Sequence, residues 1–241
     1  RGGLGRAIKP AKAKKKQAEG AVPAFAHAAI TSAAQLTPME RGAVRSRTLG
    51  LVVAELRVMV KGKRLWWYVV ALGLWIGCLA SPLADSRSGV IAFAWIWPLL
   101  LWSQMGMRES HWATGSLVFS APRAAPRQII ASYLAGVIIA VATGGGLGIR
   151  LVLAGDFAGL AAWAAAALFI PALALALGVW SGSSKPFEAL YTAWWYVGPL
   201  HHLRGLDFMG TTAASSTAAG YTVAALALTG VAYVGRLYRN A

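Results

Sequence analysis

Between Lys63 and the C-terminus, long apolar runs alternate with short polar breaks, and one of these breaks differs from the others. It covers about 107–127 and contains both charged residues and bulky apolar ones. A bilayer core of about 30 Å is crossed by roughly 20 apolar helical residues, so this break is too polar to be a span. It is also long for a connection between neighbouring membrane helices, where about two to eight residues usually suffice. We therefore expect a structured element between two spans, with an ordinary surface loop as the alternative.

The composition also indicates lipid as the solvent. Hydrophobic residues make up 57% of the chain and charged residues 13%, whereas soluble domains carry about 45–50% and about 25%. The 11 tryptophans predict aromatic belts at the two membrane–water interfaces. Cys78 is the only cysteine, which excludes a disulfide framework and a cysteine-based metal site.

Positive charge is concentrated ahead of the first span. Residues 1–64 hold 14 Lys and Arg against 3 Asp and Glu, while residues 65–241 hold 9 against 5. A lysine cluster such as Lys12 to Lys16 upstream of a span is typical of a cytoplasmic topology signal or of contact with anionic lipid, so we predict no nucleic-acid partner. Residues 1–36 show no period and are predicted to be a basic flexible linker or tail. Because the sequence begins at Arg1 rather than Met, we expect the C-terminal part of a longer polypeptide.

An amphipathic helix is predicted over 37–64. Thr37 suits the N-cap, Pro38 suits the first helical position, and Glu40 completes a capping box. Apolar residues then recur at three-to-four spacing opposite a face that carries Arg45, Arg57 and Lys61. A basic amphipathic helix before a span is typical of the membrane interface. The alternative is a soluble helix that packs on a domain absent from this sequence.

The apolar runs predict an all-α integral membrane bundle of about six transmembrane helices. The predicted spans are about 65–83, 88–106, 129–149, 157–179, 188–203 and 217–235. The fifth is short and contains Pro199, so a broken or re-entrant helix is its alternative. Six crossings leave only Arg87, Arg150 and Arg204 on one side, and the positive-inside rule then places both chain ends in the cytoplasm. The cytoplasmic side receives Arg57, Lys61, Lys63, Arg64, Arg108, Arg123, Arg127, Lys185, Arg236 and Arg239.

Nothing in the sequence indicates catalysis, a metal or another cofactor. The histidines include the adjacent pair His201 and His202, which point about 100° apart on a helix and cannot easily share one metal. No His-Glu-x-x-His pattern, nucleophile elbow or Walker element occurs, and no span holds an acidic residue near its centre. We therefore predict a protein that is not an enzyme. A second polar and aromatic segment, about 185–200, is interpreted either as an interfacial anchor or as a broken helix that gates a path.

Short motifs follow one another in a defined order at 54–62, 95–98, 102–109, 119–122, 187–199 and 206–210. Together they resemble the C-terminal half of bacterial ABC-type exporter permeases of the ABC-2 class, and the resemblance covers about 38–240. It implies that 107–127 transmits motion from an ATPase subunit and that about 200–216 is a polar re-entrant region. The implied ATPase-coupling residues are Arg108, Glu109, Thr114, Gly115, Ser120, Pro122 and Arg123. The gating or interfacial residues are Phe187, Glu188, Trp194, Trp195, Tyr196, Pro199 and Asp207.

The resemblance further implies the partners and the location. A cytosolic ABC ATPase subunit, a second permease module or homodimer, and membrane lipids are the expected partners, in the bacterial inner membrane. ATP hydrolysis is expected in the ATPase subunit and not in this chain. The alternative is a polytopic membrane protein without transport activity, either an intramembrane enzyme or a scaffold.

Overall fold

The computed structural model of the chain describes residues 47–119, 124–203, 205–211 and 216–240. Within these ranges the backbone forms helices joined by turns and contains no strand, which confirms the all-α prediction. The predicted tail, 1–36, and the predicted start of the amphipathic helix, 37–46, lie outside the described residues.

The helices differ greatly in length. In chain order the described α-helices are α1 Arg47–Val60, α2 Leu65–Ala80, α3 Leu83–Asp85, α4 Ile91–Ile96, α5 Leu99–Trp102, α6 Arg108–His111, α7 Gly115–Val118, α8 Ala124–Leu153, α9 Phe157–Ser181, α10 Lys185–Trp195 and α11 Ser216–Asn240. A π-helical turn, Ser86–Val90, joins α3 to α4, and a second one, Tyr196–Leu200, extends α10.

Three of the described helices are long and apolar enough to cross a membrane. They are α8 with 30 residues, α9 with 25 residues, and a stretch of 22 residues in α11, Ala218–Arg239. The apolar helix α2 has 16 residues and is therefore about 24 Å long at 1.5 Å per residue. The lengths and compositions are compatible with a membrane-spanning protein.

Two of the segments predicted as spans are interrupted helices. The segment 88–106 starts in the π-helical turn, and its α-helix ends at Ile96, just before Pro98. Proline has no backbone N–H to donate, and its ring clashes with the preceding turn, so it breaks a helix. The segment 188–203 changes from α10 to the π-helical turn that contains Pro199.

The start and end of α9 follow from its flanking residues. The Asp156 carboxylate caps the helix by accepting the Gly159 N–H at 2.8 Å, and it also pairs with Arg87 at 2.8 Å. The Gly159 N–H, and after it the Arg87 charge, hold the pKa of Asp156 below its ordinary value. The helix ends at Ser181, and Gly182 caps it with a φ of 65°, in the left-handed region that glycine tolerates.

Helix α8 is the scaffold on which tryptophan side chains pack. Three indole N–H groups donate to α8 carbonyl oxygens that are four residues apart and therefore share one helix face. The pairs are Trp102 with Gly136 at 3.1 Å, Trp95 with Ala140 at 2.9 Å and Trp163 with Gly144 at 3.1 Å. These bonds satisfy the polar end of an otherwise apolar ring, which lets the ring be buried.

Trp95 and Trp102 contribute no exposed ring to the predicted aromatic belts. Both are 0% exposed and belong to the core. Their N–H groups find backbone acceptors on α8, so neither ring needs a polar interface. Other rings, such as Trp66, remain exposed.

Hydrogen bonds between side chains and backbone fix the directions of neighbouring helices. Tyr191 donates to the Trp95 carbonyl at 3.1 Å and Trp195 donates to the Ala92 carbonyl at 2.9 Å. Since the residue numbers rise on α10 while they fall on α4, these two helices are antiparallel. Helices α9 and α11 run parallel, because Phe169 contacts Tyr221 near one end and the Trp180 indole bonds to Val231 further along.

Candidate functional site

Two ion pairs lie where the break that follows α5 meets α1, α8 and α11. Arg108, the first residue of α6, pairs with Glu55 of α1 at 3.0 Å between Nη1 and Oε2. The neighbouring Glu109 pairs with Arg236 of α11 at 3.1 Å between Oε2 and Nη2. Adjacent residues of one short helix are thereby tied to the first and last helices that the structure describes.

Gln128, near the start of α8, joins the two ion pairs. Its Nε2 donates to Glu55 Oε1 at 2.5 Å and to Glu109 Oε1 at 3.3 Å. The five residues Glu55, Arg108, Glu109, Gln128 and Arg236 are called the charge network below. It balances two carboxylates against two guanidinium groups and connects α1, α6, α8 and α11.

The charge network is largely shielded from solvent. The side chains of Arg236 and Glu109 are 5% and 11% exposed. Burial, partly offset by Arg108, raises the pKa of the Glu55 carboxyl above its ordinary value, and the nearby Glu109 charge raises it further. Among the described residues, Arg108 Nε and Nη2 and Arg236 Nε are buried and have no hydrogen-bond partner. Burying a polar group without a partner raises the free energy of the folded chain. A small displacement of α6 can therefore change which partners the side chains of the network bind.

The stretch 108–119, which contains α6 and α7 and is called the segment below, has an exposed face opposite the charge network. Trp112 has 71% of its surface accessible, and its ring meets His111 edge-on with centroids 5.0 Å apart. Ala113 follows with a φ of 52°, a left-handed conformation that ends α6 and turns the chain sharply. The segment thus has an inner face that binds the bundle and an outer face that presents a large aromatic side chain.

Two arginines near the end of α11 also contact the segment. The Arg239 Nη1 donates to the Val179 carbonyl at 2.6 Å and to Ser110 Oγ at 3.2 Å. The Arg236 guanidinium lies over the Phe119 ring, 4.9 Å from its centroid. The C-terminal part of α11 therefore contacts both ends of the stretch from α6 to Phe119.

The residues predicted to couple to an ATPase have different positions in the structure. Arg108 and Glu109 point into the bundle and form the charge network. Thr114 is half-buried and its N–H donates to the Glu109 carbonyl at 3.0 Å, while Gly115 begins α7. Ser120, Pro122 and Arg123 lie outside the described residues.

The second predicted group lies mainly along α10. The Phe187 ring is buried and stacks on Tyr191 at 5.1 Å, and Glu188 pairs with Lys185 at 2.8 Å. Trp195 packs on α4 through its bond to Ala92, as described above. Tyr196 is 54% exposed, whereas Pro199 is buried in the π-helical turn.

The chain after α10 folds back against it. Trp194 Nε1 donates to the Leu206 carbonyl at 2.9 Å, and the Phe208 ring is buried 5.7 Å from that of Phe169. Asp207 is also buried, and its Oδ2 accepts the Thr211 hydroxyl at 2.9 Å. The structure therefore places Asp207 in a loop that folds back against Trp194, a residue in the last turn of α10.

The described residues offer no group of three or more His, Cys, Asp or Glu side chains arranged to hold a metal ion. Comparison with protein-family models, with curated protein sequences and with solved structures found no significant match to the chain.

Sequence reasoning did not identify Glu55, Gln128 or Arg236 as functional candidates. Glu55 is an isolated acid on a basic helix, and this contrast is the sequence signal that could have identified it as a candidate. Arg236 was interpreted only as a topology signal at the end of the last span. Gln128 is uncharged and belongs to no motif, so only the structure reveals its position between the two carboxylates.

Proposed function

We propose that the chain is the membrane-spanning permease module of an ATP-driven exporter of the ABC-2 class, and that it moves an unidentified substrate by coupling to a separate cytosolic ATPase subunit. The observation that carries the proposal is the charge network. It fastens a short segment with an exposed outer face to α1, α8 and α11 through buried ion pairs. A structural loop has no need of such connections to several helices.

The mechanism that we propose uses the segment as a lever. Nucleotide binding to the ATPase displaces α6, and because Arg108 and Glu109 are paired with different helices, the displacement changes both pairs together. Buried ion pairs tend to be made or broken rather than stretched, since an unpaired buried charge costs about 3–5 kcal/mol. The helices therefore switch between two arrangements with different substrate access, as an equilibrium biased by nucleotide.

The proposed membrane arrangement has six crossings, with α1 at the cytoplasmic interface of a bacterial inner membrane and both chain ends in the cytoplasm. Three crossings use the long helices α8, α9 and α11. The others use α2 and the two interrupted segments, whose helices extend over 83–102 (α3 to α5) and 185–200 (α10 and its π-helical turn) in the structure. Interruptions at membrane depth are tolerated where neighbouring protein satisfies the backbone, and Tyr191 and Trp195 donate to backbone carbonyls between these two segments.

The outer face of the segment is the proposed docking surface for the ATPase. Trp112, with 71% of its surface accessible, is more exposed than Val118, the other exposed large hydrophobic side chain of the described part of 103–119. Tryptophan is enriched among the residues that contribute most to protein–protein binding, so an exposed tryptophan suits an interface anchor. A second permease module, as a homodimer or from the same polypeptide, completes the proposed transporter.

The proposal is tested by purifying the full-length protein from its native membrane and identifying by mass spectrometry what accompanies it. We expect an ATPase with Walker motifs in stoichiometric amount. We also expect Trp112→Ala to weaken this association by at least about tenfold, the effect of losing an aromatic anchor worth about 2 kcal/mol.

The matched control is Trp66→Ala, which removes another exposed tryptophan at the start of α2. It should leave the association unchanged. If no ATPase accompanies the chain in a detergent that preserves a known ABC complex, the segment is a loop and the exporter proposal fails. Equal loss of ATPase from both variants would contradict the docking surface alone.

A further inference from the structure

An apolar groove runs between α2 and α8 and belongs to neither site described above. Its volume is about 450 Å³, and the buried residues Leu101 and Ile139 help to line it. Trp67 and Trp75 form part of its wall. Thr143 also lines the groove, but its hydroxyl donates to the Ile139 carbonyl at 2.9 Å, so the lining is mainly apolar.

The groove continues along α8. A second apolar groove of about 530 Å³ shares Trp75 and Ala142 with the first and extends to Val152 and Leu153. From Ile139 to Val152 the helix rises about 20 Å. This length exceeds half of the roughly 30 Å hydrocarbon core of a bilayer, which is the depth that one lipid acyl chain occupies.

The end of the groove near α1 is basic. A concave surface of about 410 Å³ that shares Val60 and Tyr68 with the groove is lined by Arg57, Lys61 and Gly62. Arg57 and Lys61 are exposed, and neither forms an ion pair among the described residues. The Tyr68 hydroxyl donates to the Val60 carbonyl at 3.1 Å and holds the ring between the basic surface and the apolar groove.

We propose that this groove binds one anionic phospholipid of the cytoplasmic leaflet, with its phosphate between Arg57 and Lys61 and an acyl chain along α8. The inference rests on the membrane placement given under Proposed function, but not on transport. Charge complementarity selects the occupant. A face of a second protein copy needs no cationic mouth, whereas an anionic headgroup joined to a hydrocarbon chain matches a basic surface that opens into an apolar groove.

The test uses the full chain reconstituted in phosphatidylcholine vesicles with a trace of phosphatidylglycerol that carries a diazirine in its acyl chain. A parallel sample contains diazirine-labelled phosphatidylcholine. After photolysis and trypsin digestion, the groove is represented by the peptides 65–87 and 128–150, and the peptide 205–236 reports general lipid contact. We expect the phosphatidylglycerol probe to label the two groove peptides preferentially, relative to peptide 205–236.

Neutralising Arg57 and Lys61 as Arg57→Gln and Lys61→Gln should reduce this preference by about fivefold for each residue, the contribution of one basic side chain near an anionic surface. Arg64→Gln is the matched control, because Arg64 is exposed nearby and does not line the groove. It should leave the preference unchanged. Ala142→Trp fills the groove from α8 and should lower labelling of both groove peptides by either probe.

Two outcomes would overturn the inference while leaving the membrane placement intact. One is equal labelling of the groove peptides by the two probes in the unmodified chain. The other is a preference that survives the double substitution at Arg57 and Lys61. A chain that fails to float with the vesicles would instead overturn the membrane placement, and the lipid site with it.

Discussion

Glu55 carries a charge that its surroundings only partly compensate. Its carboxylate accepts from Arg108 and from Gln128, yet burial and the neighbouring Glu109 outweigh both. The pKa of Glu55 is consequently raised above its ordinary value of 4.5. The folded chain therefore binds a proton at Glu55 more tightly than the unfolded chain does. The contribution of Glu55 to stability is full below pH 4.5 and is lost as the pH rises through its pKa in the folded state.

Glu55→Gln should therefore become more stable relative to the unmodified chain as the pH rises from 4.5 to about 7. Glutamine mimics the protonated carboxyl at every pH, so the variant does not incur the growing cost of a buried charge. The measurement is the thermal unfolding midpoint of both proteins in the same detergent across this range. If the ion pair with Arg108 dominated instead, the variant would lose relative stability over the same interval.

Gln128→Leu provides a control for the network at nearly the same site. It removes the amide that both carboxylates share, but it changes no titrating group. Its stability relative to the unmodified chain should shift with pH only as far as the loss of that hydrogen bond alters the pKa of Glu55. The comparison separates the loss of the hydrogen bond from the loss of the charge.

At the scale of elements, α8 depends on small residues to bring tryptophan rings against its backbone. Gly144 has no side chain where the Trp95 ring packs, and a Cβ at this position would meet Cε2 of that ring at 2.7 Å. The same residue offers its carbonyl to Trp163. The rings can approach the carbonyls closely because the residues on this helix face have small side chains or none.

Gly144→Ala should lower the stability of the chain by about 1–3 kcal/mol, the usual cost of inserting a methyl group into a packed core. The thermal unfolding midpoint in detergent measures the effect. Gly230→Ala in α11 is the matched control, because a Cβ there meets nothing within 4 Å. Alanine is the better helix former by about 1 kcal/mol, so this control should be neutral or stabilising. Equal destabilisation by both substitutions would contradict the packing role of Gly144.

The sequence predicted α2, α8, α9 and α11 closely because each is a continuous apolar run bounded by polar residues. It did not predict the break at Pro98, since Trp95 to Trp102 are almost all apolar and a hydropathy criterion treats them as one run. Where the π-helical turn Tyr196–Leu200 lies, the sequence predicts a broken or re-entrant helix at Pro199 only as an alternative to a continuous span. Whether a helix is interrupted depends on which of its backbone groups form hydrogen bonds with neighbouring helices, and those neighbours lie far away in the sequence.

The same limit applies to the candidate site. The position of Glu109 ahead of a long polar segment drew attention to it, but its partner Arg236 lies 127 residues further along the chain. Likewise, Glu55 and Arg108 are 53 residues apart. Pairing over such distances follows from how whole helices pack, so a single sequence indicates the charged residues without their partners.

At the scale of the whole molecule, two groups of charged side chains lie at opposite ends of α8. The charge network and Arg239 form one of them. In the other, Arg150 donates to the Cys78 and Ser81 carbonyls and to Ser86 Oγ, near the pair between Arg87 and Asp156. The connections of α8 agree with this division, because α8 begins beside Glu55 and ends beside Ser81. If six crossings occur, the two regions face opposite sides of the membrane.

The orientation can be tested with single cysteines, because the native Cys78 is fully buried and should not react. Ser183→Cys lies in the connection from α9 to α10, Ala154→Cys lies between α8 and α9, and Leu203→Cys follows the interrupted segment 185–200. A membrane-impermeant maleimide applied to intact cells should label the cysteines at 154 and 203. It should label the cysteine at 183 only after the membrane is permeabilised, because the positive-inside rule places that connection in the cytoplasm.

The cysteine at 203 decides between the two interpretations of the segment 185–200. If this segment crosses, positions 183 and 203 lie on opposite sides, and Arg236 and Arg239 return to the cytoplasm with the charge network. If it is re-entrant, the cysteine at 203, like that at 183, is labelled only after permeabilisation, and α11 would place Arg236 and Arg239 on the outer side. That pattern would separate Arg236 from Glu109 across the bilayer, although the structure pairs them at 3.1 Å. Protection at 203 would therefore contradict the six-crossing arrangement and the lever mechanism together.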